Sequence, residues 1–379
     1  MTTSKTLKVR PFLTSPHLSV GADPEMFVFA GKKLIPAFAF LPKKSGNAQV
    51  YWDGFQAEWK YGDGAYCLDT FCVETFQRMK LLRQKARDFN KDAKLSMLNT
   101  VPIPEDYMKK AAPEHIALGC MPSFNANDIQ GNVINDPFDL TDRFAGGHIH
   151  FGGFPTEPNH ARIVKNLDMI LGVWAVGAAE GMDTPRRRRY YGLAGEYRKP
   201  LYYKAKSHDY SNMYANYDRD NYGVEYRTLS NFWLCAPQIT NITLEIGRTV
   251  AKIGRAKPEF DLWTAQPEET IHAIQACDVK LARQILKRNS YVFKAIWKSS
   301  RFSSSTSLRG TRLQKSADIV YNIGMNGVAS VVKDPMDVEN NWHLNKTYFN
   351  VESGRFRSVV DPSLLERDKR LLNARGSNY

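Results

Sequence analysis

AGGHIHFGG, Ala145 to Gly153, is the stretch on which the reading of the fold turns. His148 and His150 stand two apart, with Ile149 between them and Phe151 after. Along an extended strand alternate side chains share a face, so the two imidazoles project together while Ile149 and Phe151 pack behind. The flanking glycines remove side chains where another backbone or a ligand must come close. Imidazole ligates metals and donates to phosphate. The alternative is a strand with two satisfied core histidines; a pair boxed by glycines favours a site.

Three further stretches carry charged residues in apolar frames. LSVGADPEMFVFA (Leu18 to Ala30) reads as a strand, with Gly31-Lys32 as a turn and KLIPAFAF as the returning arm of a hairpin. Asp23 and Glu25 share a face if that strand is unbroken, and Pro24 confines it to an edge or a bulge there. In VYWDGFQAEWKYGDG (Val50 to Gly64), Asp53-Gly54 is a turn or bulge, and Glu58 lies in an aromatic-rich strand between Ala57 and Trp59. In GVEYRTLSNFW (Gly223 to Trp233), Glu225 and Arg227 again share a face. The most basic segment is TPRRRRYYGLAGEYRKP, Thr184 to Pro200. Arg186 to Arg189 cannot all face one way; a solvated charge run is the default, and a grip on phosphate or an acidic substrate the alternative. Arg198, after a Gly-rich turn and a Tyr, reads as a placed side chain. Lys204 to Arg219 reads as a mobile loop over the site.

Elsewhere the spacing predicts packing helices. Leu68 to about Leu98 repeats apolar residues at helical spacing with Lys and Arg opposite, and VPIPED breaks it. HIALGCMPSFNAND (His115 to Asp128) reads as a strand running into a polar loop. EPNHARIVKNLDMILGVWAVGAAEGM reads as a buried helix, TNITLEIGRTVAKIGR and PEETIHAIQACDVKLARQILKR as further helices, and the chain from Asn289 as mostly helical or irregular with a basic tail.

A chain of 379 residues allows one large or two modest domains; the expected division is 18–255, carrying the motifs, and 256–379, packed upon it. With 24% charged and 43% hydrophobic residues, the composition argues against wholesale disorder. The net charge of +13 implies a polyanionic partner, nucleic acid included, or a solvated basic surface. Cys67, Cys72, Cys120, Cys235 and Cys277 are scattered without a CxxC pair, which fits reduced thiols and argues against a cysteine zinc site. MTTSKTLKVRPFLTSPH lacks the apolar core of a signal peptide, and no apolar run reaches membrane-spanning length. A soluble cytoplasmic protein without membrane contact is expected.

If the strands share one curved antiparallel sheet, a single face holds Asp23, Glu25, Glu58, His148, His150, Glu225 and Arg227. Carboxylates massed in this way repel one another and are costly to bury; Mg²⁺ or Mn²⁺, with their preference for hard oxygen, would neutralise them. Such ions serve most often to bind nucleotide phosphates, with Arg198 and Arg227 clamping a transferring phosphoryl group. There is no HExxH and no GxxxxGK[ST]. At the level of residue type a metal-dependent nuclease or phosphohydrolase is served equally well. A nucleic-acid-binding protein without catalysis is the third reading, from the charge and the Tyr/Arg interleaving of RRRRYYG and YYKAKSHDYSNMYANYDRDNY.

GADPEMF, DGFQAEW, GGHIHFG, GEYR and VEYRTLSNFW, in this order over about residues 18 to 235, resemble the carboxylate–amine ligase superfamily of glutamine synthetase and glutamate–cysteine ligase. Nearest in pattern are the phage-encoded amidoligases called COOH–NH2 ligase type 2. The resemblance implies an α+β fold whose antiparallel sheet curves into a half-barrel with helices packed on its outer face. It implies ATP bound with Mg²⁺ or Mn²⁺, and phosphorylation of a carboxylate to an acyl phosphate that an amine attacks to form an amide. By motif position the resemblance implies that Glu25, Glu58 and Glu225 are metal ligands, with Asp23 a further one, that His148 or His150, the first favoured, is a ligand or nucleotide contact, and that Arg198 and Arg227 face phosphate. Related enzymes tend to carry Glu-x-Glu where this chain has Asp23-Pro24-Glu25. The acid and amine substrates are unnamed by the sequence, and a peptide, protein or polymer acceptor fits the basic surface.

Overall fold

In the computed structural model, residues 18–45, 48–61, 68–117, 123–131, 140–154, 156–202, 221–256, 267–299 and 313–346 are described. The strands, in chain order, are β1 (Ser19–Ala22), β2 (Glu25–Ala30), β3 (Lys33–Ile35), β4 (Val50–Asp53), β5 (Gln56–Trp59), β6 (Ala93–Ser96), β7 (Thr100–Pro102), β8 (Phe124–Asn125), β9 (Asp142–Phe144), β10 (Ile149–Phe154), β11 (Glu196–Arg198), β12 (Leu201–Tyr202) and β13 (Asn221–Tyr226).

Strand β10, which carries His150 and begins just after His148, lies inside the larger sheet, which runs β1-β10-β13-β11-β8 with β12 added on β13. A second sheet runs β3-β2-β5-β4 with β6 beside β2, and β7 pairs β9. Every pairing between these strands is antiparallel. The sheets meet where β1 becomes β2. Proline lacks the N–H a ladder needs, so pairing with β10 stops at Ala22↔Ile149 and β2 enters the second sheet. The joint is held by Glu25 N–H on the Gly146 carbonyl (3.0 Å), Gly147 N–H on that of Leu229 (3.1 Å), and the Asn231 side-chain amide on that of Glu25 (3.0 Å). The result is the curved antiparallel half-barrel of an α+β fold. Asp23 and Glu25 accordingly do not act as one period-two pair; the break at Pro24 sends them to different groups.

Helices cover the outer face. Ile149 and Phe151 are fully buried there, and Gly247 of the helix Pro237–Ala256 lets that helix close on the Phe151 ring, where a Cβ would stand 2.7 Å from Cζ. The long apolar segment after Pro158 is helical, as its pattern predicts, but one turn, Asp168–Gly172, is π-helical between His160–Leu167 and Val173–Ala178. The first helix is shorter than its periodicity implies: it is Leu68–Phe89, and β6 follows, with Ala93 and Leu95 buried and Lys94 exposed in strand alternation. His115 and Ile116 lie in a helical turn, Pro113–Ile116, and not in a strand. Beyond residue 256 the chain shares the same core: Trp174 Nε1 donates to the Val320 carbonyl (2.9 Å) and Trp342 Nε1 to that of Leu234 (2.6 Å). Among the described residues no helix is long and apolar enough to cross a membrane, and Cys72, Cys235 and Cys277 form no disulfide with one another. Cys67, Cys120, the 204–219 segment and the basic tail lie outside the described residues.

Candidate active site

Register builds the first half of the site. His150 on β10 is opposite Glu225 on β13, and Glu225 is opposite Arg198 on β11, so all three side chains share the concave face. Asp23, at the end of β1, reaches the same place: its Oδ1 is 3.1 Å from His150 Nε2 and 3.4 Å from His148 Nδ1. Arg227 follows β13 and is 2% exposed. It spends its guanidinium on Glu225, on Glu196 Oε1 (3.1 Å from Nε) and on His148 Nδ1 (3.3 Å from Nη1). Arg198 Nη1 is 3.5 Å from Glu225 Oε1 and its side chain is 23% exposed. Asp23, His150 and Glu225 together offer three ligand atoms close enough for one metal ion.

The second half comes from the other sheet. Glu25 on β2 pairs in register with Glu58 on β5, and Glu58 with Tyr51 on β4. Glu25 accepts the Gly146 N–H (2.7 Å) and the Tyr191 hydroxyl (2.8 Å). Glu58 Oε1 accepts the Tyr51 hydroxyl (2.6 Å) and the Lys44 ammonium (3.0 Å). Asp53, two residues after Tyr51, completes a carboxylate trio with Glu25 and Glu58 whose ligand oxygens lie within 4.8 Å of one another.

Charge separates the two groups. Burial pushes the Asp23 and Glu225 carboxyls up, but His150 outweighs it, with His148 for Asp23 and Arg227 for Glu225, so both are held below the usual carboxylate range. Burial lowers His150, yet Asp23 more than compensates and its ring is held above the ordinary value; His148 is held below it, by burial and Arg227. The trio is under-neutralised. Burial, then Asp53 and Glu58, raises Glu25 to about 8; burial, against the pull of Lys44, raises Glu58 to about 7; burial raises Asp53 as well. Three hard oxygen donors with unspent negative charge suit Mg²⁺ or Mn²⁺, so these residues fit a divalent cation.

All eight residues singled out from the sequence, Asp23, Glu25, Glu58, His148, His150, Arg198, Glu225 and Arg227, gather on this face. His150 joins a donor set. His148 lies behind, its Nδ1 toward Arg227 and its Nε2 buried without a hydrogen-bond partner among the described residues. Sequence reasoning missed Asp53, Tyr51, Lys44, Tyr191 and Glu196. Asp53 and Tyr51 were legible as a period-two pair aligned with Glu58, but Asp-Gly also spells a turn, and the turn is there: Gly54 has φ +62. The four-arginine run divides. Arg186 and Arg189 are exposed; Arg187 and Arg188 are buried. Arg187 donates to the carbonyl of Leu229 (2.7 Å) and Arg188 to those of Gly192 (2.8 Å) and Thr228, while Arg188 also pairs with Asp183 (2.6 Å). These two are struts of the segment that follows Arg227, which removes them from both readings of the run.

No curated protein matches this chain. A solved structure described as a novel glutamine synthase homolog aligns over 86% of this chain and 71% of that one, with 12% identity and a TM-score of 0.36. Residues 137–211, which carry GGHIHFGG and GEYR, match the model of the family described as Phage phiEco32-like COOH.NH2 ligase-type 2, the group whose motifs this sequence resembles.

Proposed function

We propose that the chain is an ATP-dependent carboxylate–amine ligase that forms an amide through an acyl phosphate. The observation that carries the reading is the convergence of β1–β2, β4–β5, β10 and β13 on two adjoining donor sets, with guanidinium groups beside one of them. Glu25, Asp53 and Glu58 would hold one divalent cation, and Asp23, His150 and Glu225 are the second candidate set. Bound there, Mg²⁺ or Mn²⁺ would screen the repulsion between ATP, the substrate acid and the protein's carboxylates. Arg198, the more exposed guanidinium, would meet the transferring phosphoryl group, where negative charge develops. Arg227 is a positioning residue that fixes Glu225 and Glu196. Glu196 accepts the N–H groups of Gly192 (2.8 Å) and Leu193 (3.0 Å), so it also pins the Gly-rich turn before Arg198.

The substrate carboxylate oxygen attacks the γ-phosphorus and ADP leaves; the amine nitrogen then attacks the acyl carbon, phosphate leaves, and the ammonium formed gives up a proton. A carboxylate by itself has no leaving group, which is why the first step is needed. The acceptor is proposed to be a peptide, protein or other polymer, in keeping with the net charge of +13. The test is incubation with ATP, Mg²⁺, a panel of amino acids and host-cell extract. ADP release that depends on one acid–amine pair supports the ligase. Metal-dependent phosphodiester cleavage without ATP, or salt-sensitive nucleic-acid binding untouched by Glu58→Ala and Glu225→Ala, overturns it.

A further inference from the structure

Lys44 precedes β4 in a segment tied down on its near side: Lys43 bridges to Trp52, and Trp52 N–H donates to the Pro42 carbonyl (3.1 Å). Its ammonium sits 3.0 Å from Glu58 Oε1, the oxygen that also takes the Tyr51 hydroxyl, and 5.0 Å above the Tyr51 ring. Asp23 and Asp53 lie within its electrostatic reach as well. The Lys44 side chain is 57% exposed and that of Glu58 6%. The ammonium therefore reaches the trio from the solvent side and sets one positive charge against three carboxylates.

Resting on the metal reading above, we propose that Lys44 is a tethered monovalent counter-ion that competes with the divalent cation for Glu58. A +2 ion on Glu25, Asp53 and Glu58 would meet a +1 charge at a few ångströms, where unscreened repulsion is large on the scale of RT. Loading must then displace the ammonium, which sets a threshold against weakly held cations. The released side chain stays at the mouth of the site, where an anionic ligand enters. Nothing in the three-carboxylate donor set itself requires a lysine; its placement over Tyr51 and on Glu58 gives it this part.

The experiment is titration of the full-length protein with Mn²⁺ in the absence of nucleotide, following free Mn²⁺ by electron paramagnetic resonance. Lys44→Met and Lys44→Gln should each tighten binding about tenfold or more. Lys44→Arg should bind as the parent does, and Lys43→Met, whose lysine pairs with the exposed Glu114 at 2.6 Å, should change nothing. Equal or weaker binding in both neutral variants, with binding still lost in Glu58→Gln, overturns the counter-ion and leaves the metal reading standing. Absence of saturable Mn²⁺ binding in parent and variants alike overturns both.

Discussion

Glu25 and Glu58 stand directly opposite one another on β2 and β5, both buried, at a position where sheets avoid like charges. Both carboxyls are pushed above their ordinary value of 4.5, to about 8 and about 7. At these two carboxyls the folded state therefore holds more protons than the unfolded chain between pH 4.5 and 8, and their linkage has one sign: the stability they contribute is greatest at the acid end and falls as pH rises through 7 and 8. Asp53 adds in the same direction, and so does His150, while His148, held low, opposes them. Asp23 and Glu225, held low, act only in the more acid range. Metal-free thermal melts should show Tm declining from pH 5 to 8.5, with the slope flattened in Glu25→Gln/Glu58→Gln. A Tm that climbs over that range would contradict the arrangement.

Those protons must leave when a cation binds. At pH 7 most of Glu25 and about half of Glu58 are protonated, so Mn²⁺ binding should release between about one and two protons per site. Calorimetry in buffers of different ionisation enthalpy measures this directly. Apparent affinity should rise with pH up to about 8 and then level; an affinity flat from pH 6 to 8 would place the ion elsewhere.

Glu225 faces His150, Arg198 and Arg227 together. Glu225→Gln keeps the shape and removes the charge that balances them. ADP release should fall roughly 10²–10³-fold, as when one placed electrostatic partner is lost, while the far-ultraviolet circular dichroism stays native. Retention of activity within threefold would remove Glu225 from the proposed machinery.

The sheet and most of the site were readable because period-two polar pairs in apolar frames are costly unless they converge. His148/His150 and Glu225/Arg227 announce a shared face by spacing alone, and register then puts Glu225 opposite His150. What hid the rest is physical. Asp53 looked like a turn residue, but it ends β4 just before the turn at Gly54, and its side chain joins Glu25 and Glu58. Lys44 and Tyr191 act across 14 and 166 residues of chain, and no local pattern encodes such a contact. The arginine run is unreadable without the fold, since only tertiary packing decides that Arg187 and Arg188 face inward.

Arg188 and Arg189 are neighbours with opposite expected phenotypes. Arg188 is buried, pairs with Asp183 at 2.6 Å and donates to the Gly192 and Thr228 carbonyls. Arg188→Ala takes the nearest guanidinium from that buried carboxylate, leaving it Arg187 at 3.6 Å, and a donor from each of those carbonyls, and should cost about 3 kcal/mol in denaturant unfolding. Arg189 is exposed, its guanidinium 5.9 Å over the Tyr190 ring, and Arg189→Ala should stay within about 0.5 kcal/mol. Equal effects would return the run to a uniform charged surface.

Two guanidiniums lie against the Tyr191 ring, Arg187 at 5.4 Å and Arg227 at 5.6 Å, and its hydroxyl donates to Glu25 at 2.8 Å. The stack fixes the ring, and the hydroxyl favours the charged form of a carboxylate that burial otherwise keeps protonated. Tyr191→Phe keeps the stack and removes only the donor. Glu25 should then hold its proton more tightly, and Mn²⁺ affinity at pH 7 should drop about 10–100-fold, the range for losing a group that orients a ligand. The loss should shrink at pH 9, where Glu25 ionises without help. A loss of the same size at both pH values would mean that the phenol acts on packing and not on the proton of Glu25.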